Sequence, residues 1–217
     1  MKPSQRNGAS SRRRRDGQPA ITPDAQQAAD RRAAKPAATT FVSTFLTSRR
    51  LAFRTWTLQD DPLALSLWGN PAVTALIGGP FTSEQIHGRL LREIACAAST
   101  GVQYWPLFEL ATDSFVGCCG LRPYRLPERV FELGFHIRPE FSGRGFATEA
   151  ARTVILHAFN TVGACALFAG HHPDNVASRH ILTGLRFRFT HHEHYPPTGL
   201  QHPSYILEPK DYVQVGT

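Results

Sequence analysis

Two glycines one residue apart, Gly143 and Gly145, stand between an alternating stretch that ends at Ile137 and a helical pattern that opens at Phe146. Without side chains at these positions the backbone can bend sharply and a ligand can approach it closely. The first turn of the following helix offers unpaired N–H groups and the positive end of its dipole, which suits a pyrophosphate. Arg144, between the glycines, can add a charged contact. Thr148 stands where a dinucleotide-binding fingerprint needs a third glycine, and the Gly-Lys-Ser/Thr of a nucleotide P-loop is absent. Taken alone, Gly-x-Gly suits a plain tight turn equally well, so its meaning depends on its surroundings.

Other reactive side chains are scattered. Within Val130 to Ile137, Glu132, Gly134 and His136 share one strand face, opposite Leu133, Phe135 and Ile137. Cys118 and Cys119 lie in a strand-like run with no His–acid partner indicated, which favours buried thiols over a nucleophile. The four cysteines form no C-x-x-C pair, as expected of core filler in a reducing compartment. Ten histidines include His171-His172 and His191-His192, the latter followed by Glu193-His194. Adjacent strand residues face opposite sides and H-E-x-x-H is absent, so no metal centre is expected.

The elements that must position these groups follow from periodicity. Leu51 and Phe53 alternate with polar residues as a strand. Asp60-Asp61-Pro62 opens a helix carrying Leu63, Leu65, Leu67 and Trp68, and Thr82-Ser83-Glu84-Gln85 opens another with Ile86, Leu90, Leu91 and Ile94. Trp105 to Leu110, Phe115 to Leu121 and Val130 to Ile137 read as three successive strands. A strong helix runs from Gly145 to about Asn160, a buried strand from Cys165 to Ala169, and a helix from Asn175 to Leu185. Phe187 to Thr190 and Ser204 to Leu207 close the pattern. The order indicates a mixed α/β sheet with helices on its faces.

In that context the residues resemble the GNAT acetyltransferase superfamily, in the branch of ribosomal-protein N-terminal acetyltransferases. The resemblance spans about Ser48 to Leu207. Gly143-Arg144-Gly145-Phe146-Ala147-Thr148-Glu149-Ala150 is similar to that branch's acetyl-CoA pyrophosphate loop, and Glu132 to Ile137 to its central strand. Phe115 to Leu121 resembles the strand before it, and Asn175-Val176-Ala177-Ser178 its helix-capping Asn-x-x-Ser motif. The resemblance implies a mostly antiparallel central sheet flanked by helices, with a splayed central strand pair. It implies acetyl-CoA as co-substrate, held by Phe135, Ile137, Ser142, Gly143, Arg144, Gly145, Phe146, Ala147, Thr148, Asn175 and Ser178.

It also implies direct attack by a primary amine in a ternary complex, the acceptor being a protein N-terminus or a small molecule. A free α-amine has a pKa near ~8 and Lys near ~10.4, so a base is useful. Glu132 is the first candidate and His136 a second, while Tyr205, or else Tyr195, would protonate the thiolate. Backbone N–H groups near Ile137 would polarise the thioester carbonyl. Trp105, Tyr124 and the Pro196-Pro197-Thr198-Gly199 loop are candidates to shape the acceptor cleft. Two positions depart from the branch. Ser142 replaces a larger residue, and Gly184-Leu185-Arg186-Phe187 replaces Lys-Leu-Gly-Phe, so a different helix exit is expected at Arg186. A non-catalytic acyl-CoA sensor on the same fold is the alternative.

Composition divides the chain. Of 24 Lys and Arg, 11 fall in the first 50 residues beside three acidic ones; the remaining 13 face 14 acidic groups. The basicity belongs to a leader poor in large apolar residues, expected to be disordered over 1–45. The acetyltransferase domain is expected over 46–210 and a short tail over 211–217. The folded part shows no basic excess, so nucleic acid is not an expected partner except through Arg12 to Arg15 of the leader. No apolar run approaches the roughly 20 residues of a membrane span, and no secretory signal opens the chain. A cytoplasmic protein without a membrane partner, monomeric or homodimeric, is the resulting expectation.

Overall fold

The alternating stretches near the chain's middle form the centre of a sheet. In the computed structural model, which describes residues 44–212, β3 (Tyr104–Glu109), β4 (Ser114–Arg125) and β5 (Val130–Ile137) pair antiparallel in sequence order. On one side β1 (Leu46–Thr47) and β2 (Leu51–Phe53) extend the sheet. On the other come β6 (Ala166–Gly170), β8 (Leu200–Leu207) and β7 (Arg188–Tyr195), giving the order β1-β2-β3-β4-β5-β6-β8-β7. Among these pairs β5–β6 is the parallel one, and it spans only Val130–Glu132 against Ala166–Phe168. Beyond Glu132 the two strands part, which is the expected splay. No described helix is long and apolar enough to cross a membrane.

Helices cover both faces because each strand buries alternate residues on each. α4 (Phe146–His157) lays Ala150, Ala151, Val154 and Ile155 on a core with Leu51, Phe53, Val116, Leu121 and Leu133. α5 (Val176–Gly184) joins it through Leu182. On the opposite face α1 (Asp61–Trp68) and α3 (Ser83–Thr100) bury Leu67, Trp68, Ile86 and Leu90 against Tyr104, Phe115 and Cys118. α3 starts in a reciprocal Thr82–Gln85 capping box and ends at Gly101 in the left-handed conformation.

Three features differ from the expectation. A one-turn helix α2 (Pro71–Thr74) and the two-residue β1 were not anticipated, both being too short for periodicity to register. β7 and β8 are longer than expected and form a hairpin, because β7 is exposed along its whole length and its His-rich sequence carries no apolar alternation. The exit of α5 keeps the left-handed turn despite the missing glycine. Arg186 has φ 68°, the Phe187 N–H donates to the Leu182 carbonyl at 2.9 Å and the Arg186 N–H to the Thr183 carbonyl at 3.0 Å. That is the Schellman pattern, carried by a side chain that the conformation penalises by about 1 kcal/mol. Residues 1–43 of the leader and 213–217 of the C-terminal tail lie outside the described residues.

Candidate active site

The parting of β5 from β6 leaves one edge of β5 without a strand neighbour. The Arg138 N–H donates to the Val116 carbonyl at 2.9 Å, toward β4. By strand alternation Phe135 and Ile137 therefore aim their N–H and C=O groups the other way, into the splay. A cavity of about 820 Å3 opens there, lined on one side by Phe135, Ile137, Ser142, Gly143, Gly145 to Thr148, Asn175 and Ser178. Every cofactor-binding residue expected from the sequence lines it except Arg144. That guanidinium is held at 2.5 Å by Glu109 and lies over the Phe146 ring.

The phosphate loop has a physical cause for its shape. Gly143 and Gly145 have φ 73° and 78°, which L side chains rarely adopt, and Gly145 caps α4 in the left-handed region. The first bond within α4 runs from the Glu149 N–H to the Gly145 carbonyl, leaving the preceding N–H groups of the turn for a ligand. Glu149 fixes the loop from behind: it accepts from Ser48 Oγ at 2.7 Å, from the Arg50 N–H at 2.8 Å and from Arg50 Nε at 2.7 Å. Arg50 in turn donates to the Arg144 carbonyl at 3.1 Å and covers the Phe146 ring. On α5, Asn175 Oδ1 accepts the Ser178 N–H at 3.0 Å, so the Asn-x-x-Ser motif is a true helix cap beside the cavity. A free strand edge continuous with a helix N-terminus that carries no side chain at Gly143 and Gly145 fits the pantetheine and pyrophosphate of coenzyme A.

The opposite side of the cavity is built from charged and aromatic side chains on four elements. Tyr104, Gly120 and Gly134 occupy one row across β3, β4 and β5. A Cβ on Gly134 would collide with the Tyr104 ring, so the missing side chain lets that ring reach across to β5. There the Tyr104 hydroxyl donates to Glu132 Oε1 at 3.1 Å. Arg122 stands directly opposite Glu132 on β4, lies over the Tyr104 ring and pairs with Glu93 of α3. Glu93 is buried and also accepts the Tyr104 N–H at 2.9 Å. Burial raises the Glu132 carboxyl above the usual range, against the opposing pull of Arg122 and the Tyr104 hydrogen bond. Burial also holds the Tyr104 phenol well above its ordinary value, so it stays a donor.

His136 is one row away. Burial, with Arg89 and Arg122 adding to it, drives its imidazole well below the ordinary value. Its Nδ1 accepts the Trp68 indole N–H at 3.3 Å, which assigns the remaining proton to Nε2. The neutral ring thus has its acceptor nitrogen occupied. Cys118 Sγ lies 3.6 Å from the same nitrogen, and burial pushes that thiol up to about 12, so no thiolate is available. Tyr205 does not line the cavity: it is buried in the core with its hydroxyl 3.3 Å from His171 Nε2. Tyr195, near the hairpin tip, does line it, as do Tyr124 and Pro196. Trp105 faces the α4 core against Phe45 and takes no part in the cleft. Tyr104, Arg122, Glu93 and Arg89 were not singled out from the sequence; two interior-strand glycines in register were the one available signal. Among the described residues no group of three or more His, Cys, Asp or Glu is placed to hold a metal ion.

The model of the acetyltransferase (GNAT) domain matches residues 50–188, spanning the sheet from β2 to the start of β7 with the loop and both capping motifs. The chain belongs to the GNAT acetyltransferase family. It is an acetyl-CoA-dependent N-acyltransferase. An uncharacterized N-acetyltransferase, p20 of Bacillus licheniformis, is 26% identical over 145 residues, covering 66% of this chain and 82% of that one. The FsC-acetyl coenzyme A-N(2)-transacetylase of Aspergillus fumigatus is 31% identical over 151 residues, with 61% of each chain covered. Among solved structures, RimL, a ribosomal-protein alpha-N-acetyltransferase in complex with coenzyme A, aligns with a TM-score of 0.66 at 14% identity. That alignment covers 76% of this chain and 98% of RimL and supports the fold.

Proposed function

We propose that this acetyltransferase moves the acetyl group to a primary amine by direct attack, with Glu132 as the base that takes the ammonium proton. The observation that carries this reading is the setting of Glu132. It lines the cavity with one oxygen on the Tyr104 hydroxyl and the other without a partner among the described residues. A carboxylate raised by burial is a better proton acceptor than an exposed one. His136, with its acceptor nitrogen on Trp68, is a lining and positioning group in this scheme. Bound acetyl-CoA supplies the activated acyl group. The chain's own part is to hold it along the β5 edge, aim the Ile137 and Phe135 N–H groups at developing negative charge, and exclude water. Of the two tyrosines considered for the thiolate, Tyr195 has access to the cavity.

Both a protein α-amine and a small amine remain acceptors under this mechanism, since a cavity of about 820 Å3 takes the cofactor arm and a compact amine or an extended terminus. Glu132→Gln tests the base. Turnover should fall on the order of 100-fold, the low end for general-base catalysis, with acetyl-CoA affinity changed less than about twofold. Wild-type rates across the pH range would remove Glu132 from the reaction.

A further inference from the structure

Arg89 is a cation without a counterpart. It projects from α3 into the acceptor side of the cavity, yet among the described residues it makes no hydrogen bond and no ion pair. Its Nε is buried and unpartnered. The guanidinium rests on the Trp68 ring, 4.4 Å from its centroid, and Trp68 in turn donates to His136. Among the described residues no carboxylate pairs with it. Glu93, one helical turn further along α3, takes Arg122 and the Tyr104 N–H; Glu132 has one oxygen on the Tyr104 hydroxyl and feels the Arg89 charge, which opposes the rise of its carboxyl; Glu193 takes the Tyr124 hydroxyl at 3.3 Å. Arg89 also acts across the cavity: burial raises the Tyr195 phenol while the Arg89 charge opposes that rise.

A guanidinium at a cavity wall whose Nε is buried and unpartnered is costly unless something occupies its donors. Stacking on an indole offsets part of that cost but satisfies no N–H group. The fork geometry of guanidinium matches a carboxylate in two parallel hydrogen bonds. We propose that the acceptor is a compact amine that carries its own carboxylate, seated on Arg89 while its amine faces Glu132. This deepens the acetyltransferase reading above and rests on it. It favours small amino acids over polyamines, whose cations would meet Arg89 and Arg122, and over a peptide N-terminus, which brings no carboxylate so close to its amine.

The test uses the full chain saturated with acetyl-CoA. L-amino acids, β-alanine and 4-aminobutyrate are each paired with the corresponding carboxamide and decarboxylated amine, and a set of peptide N-termini is run beside them. Binding is read from Trp68 fluorescence, with a Trp68→Phe control, and transfer from thiol release. At least one free carboxylate should bind and turn over on the order of 30-fold better than its amide, the loss typical of an unpaired buried charge. Arg89→Gln should raise the acceptor KM by a similar factor while leaving the acetyl-CoA Kd unchanged, which also shows that the variant is folded. Arg89→Lys should recover part of it. Amides or peptides that bind and react as well as the carboxylates, no carboxylate binding at all, or an Arg89→Gln acceptor KM equal to wild type would overturn the carboxylate seat and leave the transferase intact. Carboxylates that bind through Arg89 but give no thiol release would support the seat and count against the transfer reading instead.

Discussion

The two sides of the cavity are made of different materials. The cofactor side is mostly backbone: the free edge of β5, the glycine turn at 143–145 and the N-termini of α4 and α5. The acceptor side is a side-chain lattice that draws Arg89 and Glu93 from α3, Tyr104 from β3, Arg122 from β4 and Glu132 from β5. Backbone recognition needs particular residues only where a side chain would intrude, so it leaves a short, contiguous signature. A lattice assembled from side chains scattered between Arg89 and Glu132 leaves no contiguous signature, and its members can be exchanged to suit another acceptor without disturbing the cofactor site.

If that division holds, damage should separate cleanly. The largest effect is expected for Gly145→Trp. A bulky side chain at φ 78° both strains the cap and fills the turn. Acetyl-CoA binding should weaken at least 100-fold by calorimetry while circular dichroism keeps its native form, and unchanged affinity would remove the phosphate-loop assignment. Damage on the other side should spare the cofactor. Tyr104→Phe removes the hydrogen bond that lowers the Glu132 carboxyl, so that carboxyl should rise further above the usual range. The base works only when ionised, and activity falls as pH drops through its pKa. The acidic limb of kcat/KM should therefore move to higher pH in the variant, with the acetyl-CoA Kd unaltered; an unmoved limb would detach Tyr104 from the base. The smallest effect concerns neither side. Arg186→Gly relieves the left-handed helix exit and should raise stability by about 1 kcal/mol. For a folded region of this size that is a Tm increase of roughly 2–4 °C. A lower Tm would mean Arg186 makes compensating contacts that outweigh its strain.

What could be read from the sequence follows the same division. β5 and the start of α4 were legible because they alternate or repeat over eight residues or more around a glycine turn. The splay itself was implied only by family resemblance, because strand neighbours are not encoded locally. Tyr205 was misplaced relative to the cavity because its neighbour Ser204 faces that side, and one residue of register reverses a strand's faces. The same single residue of register puts Tyr104 in the cleft and Trp105 in the core. Arg186 looked like a changed turn, yet the hydrogen bonds of the helix end outweigh a penalty of about 1 kcal/mol and preserve it.

The most direct measurement of the central claim is a calorimetric titration of the purified protein with acetyl-CoA, followed by thiol release against amines with and without a carboxylate. The structure predicts one saturable acetyl-CoA site per chain and release that depends on the acceptor. Absence of saturable binding would contradict the assignment of the cavity, and binding without release across every amine would contradict the transferase chemistry assigned to Glu132.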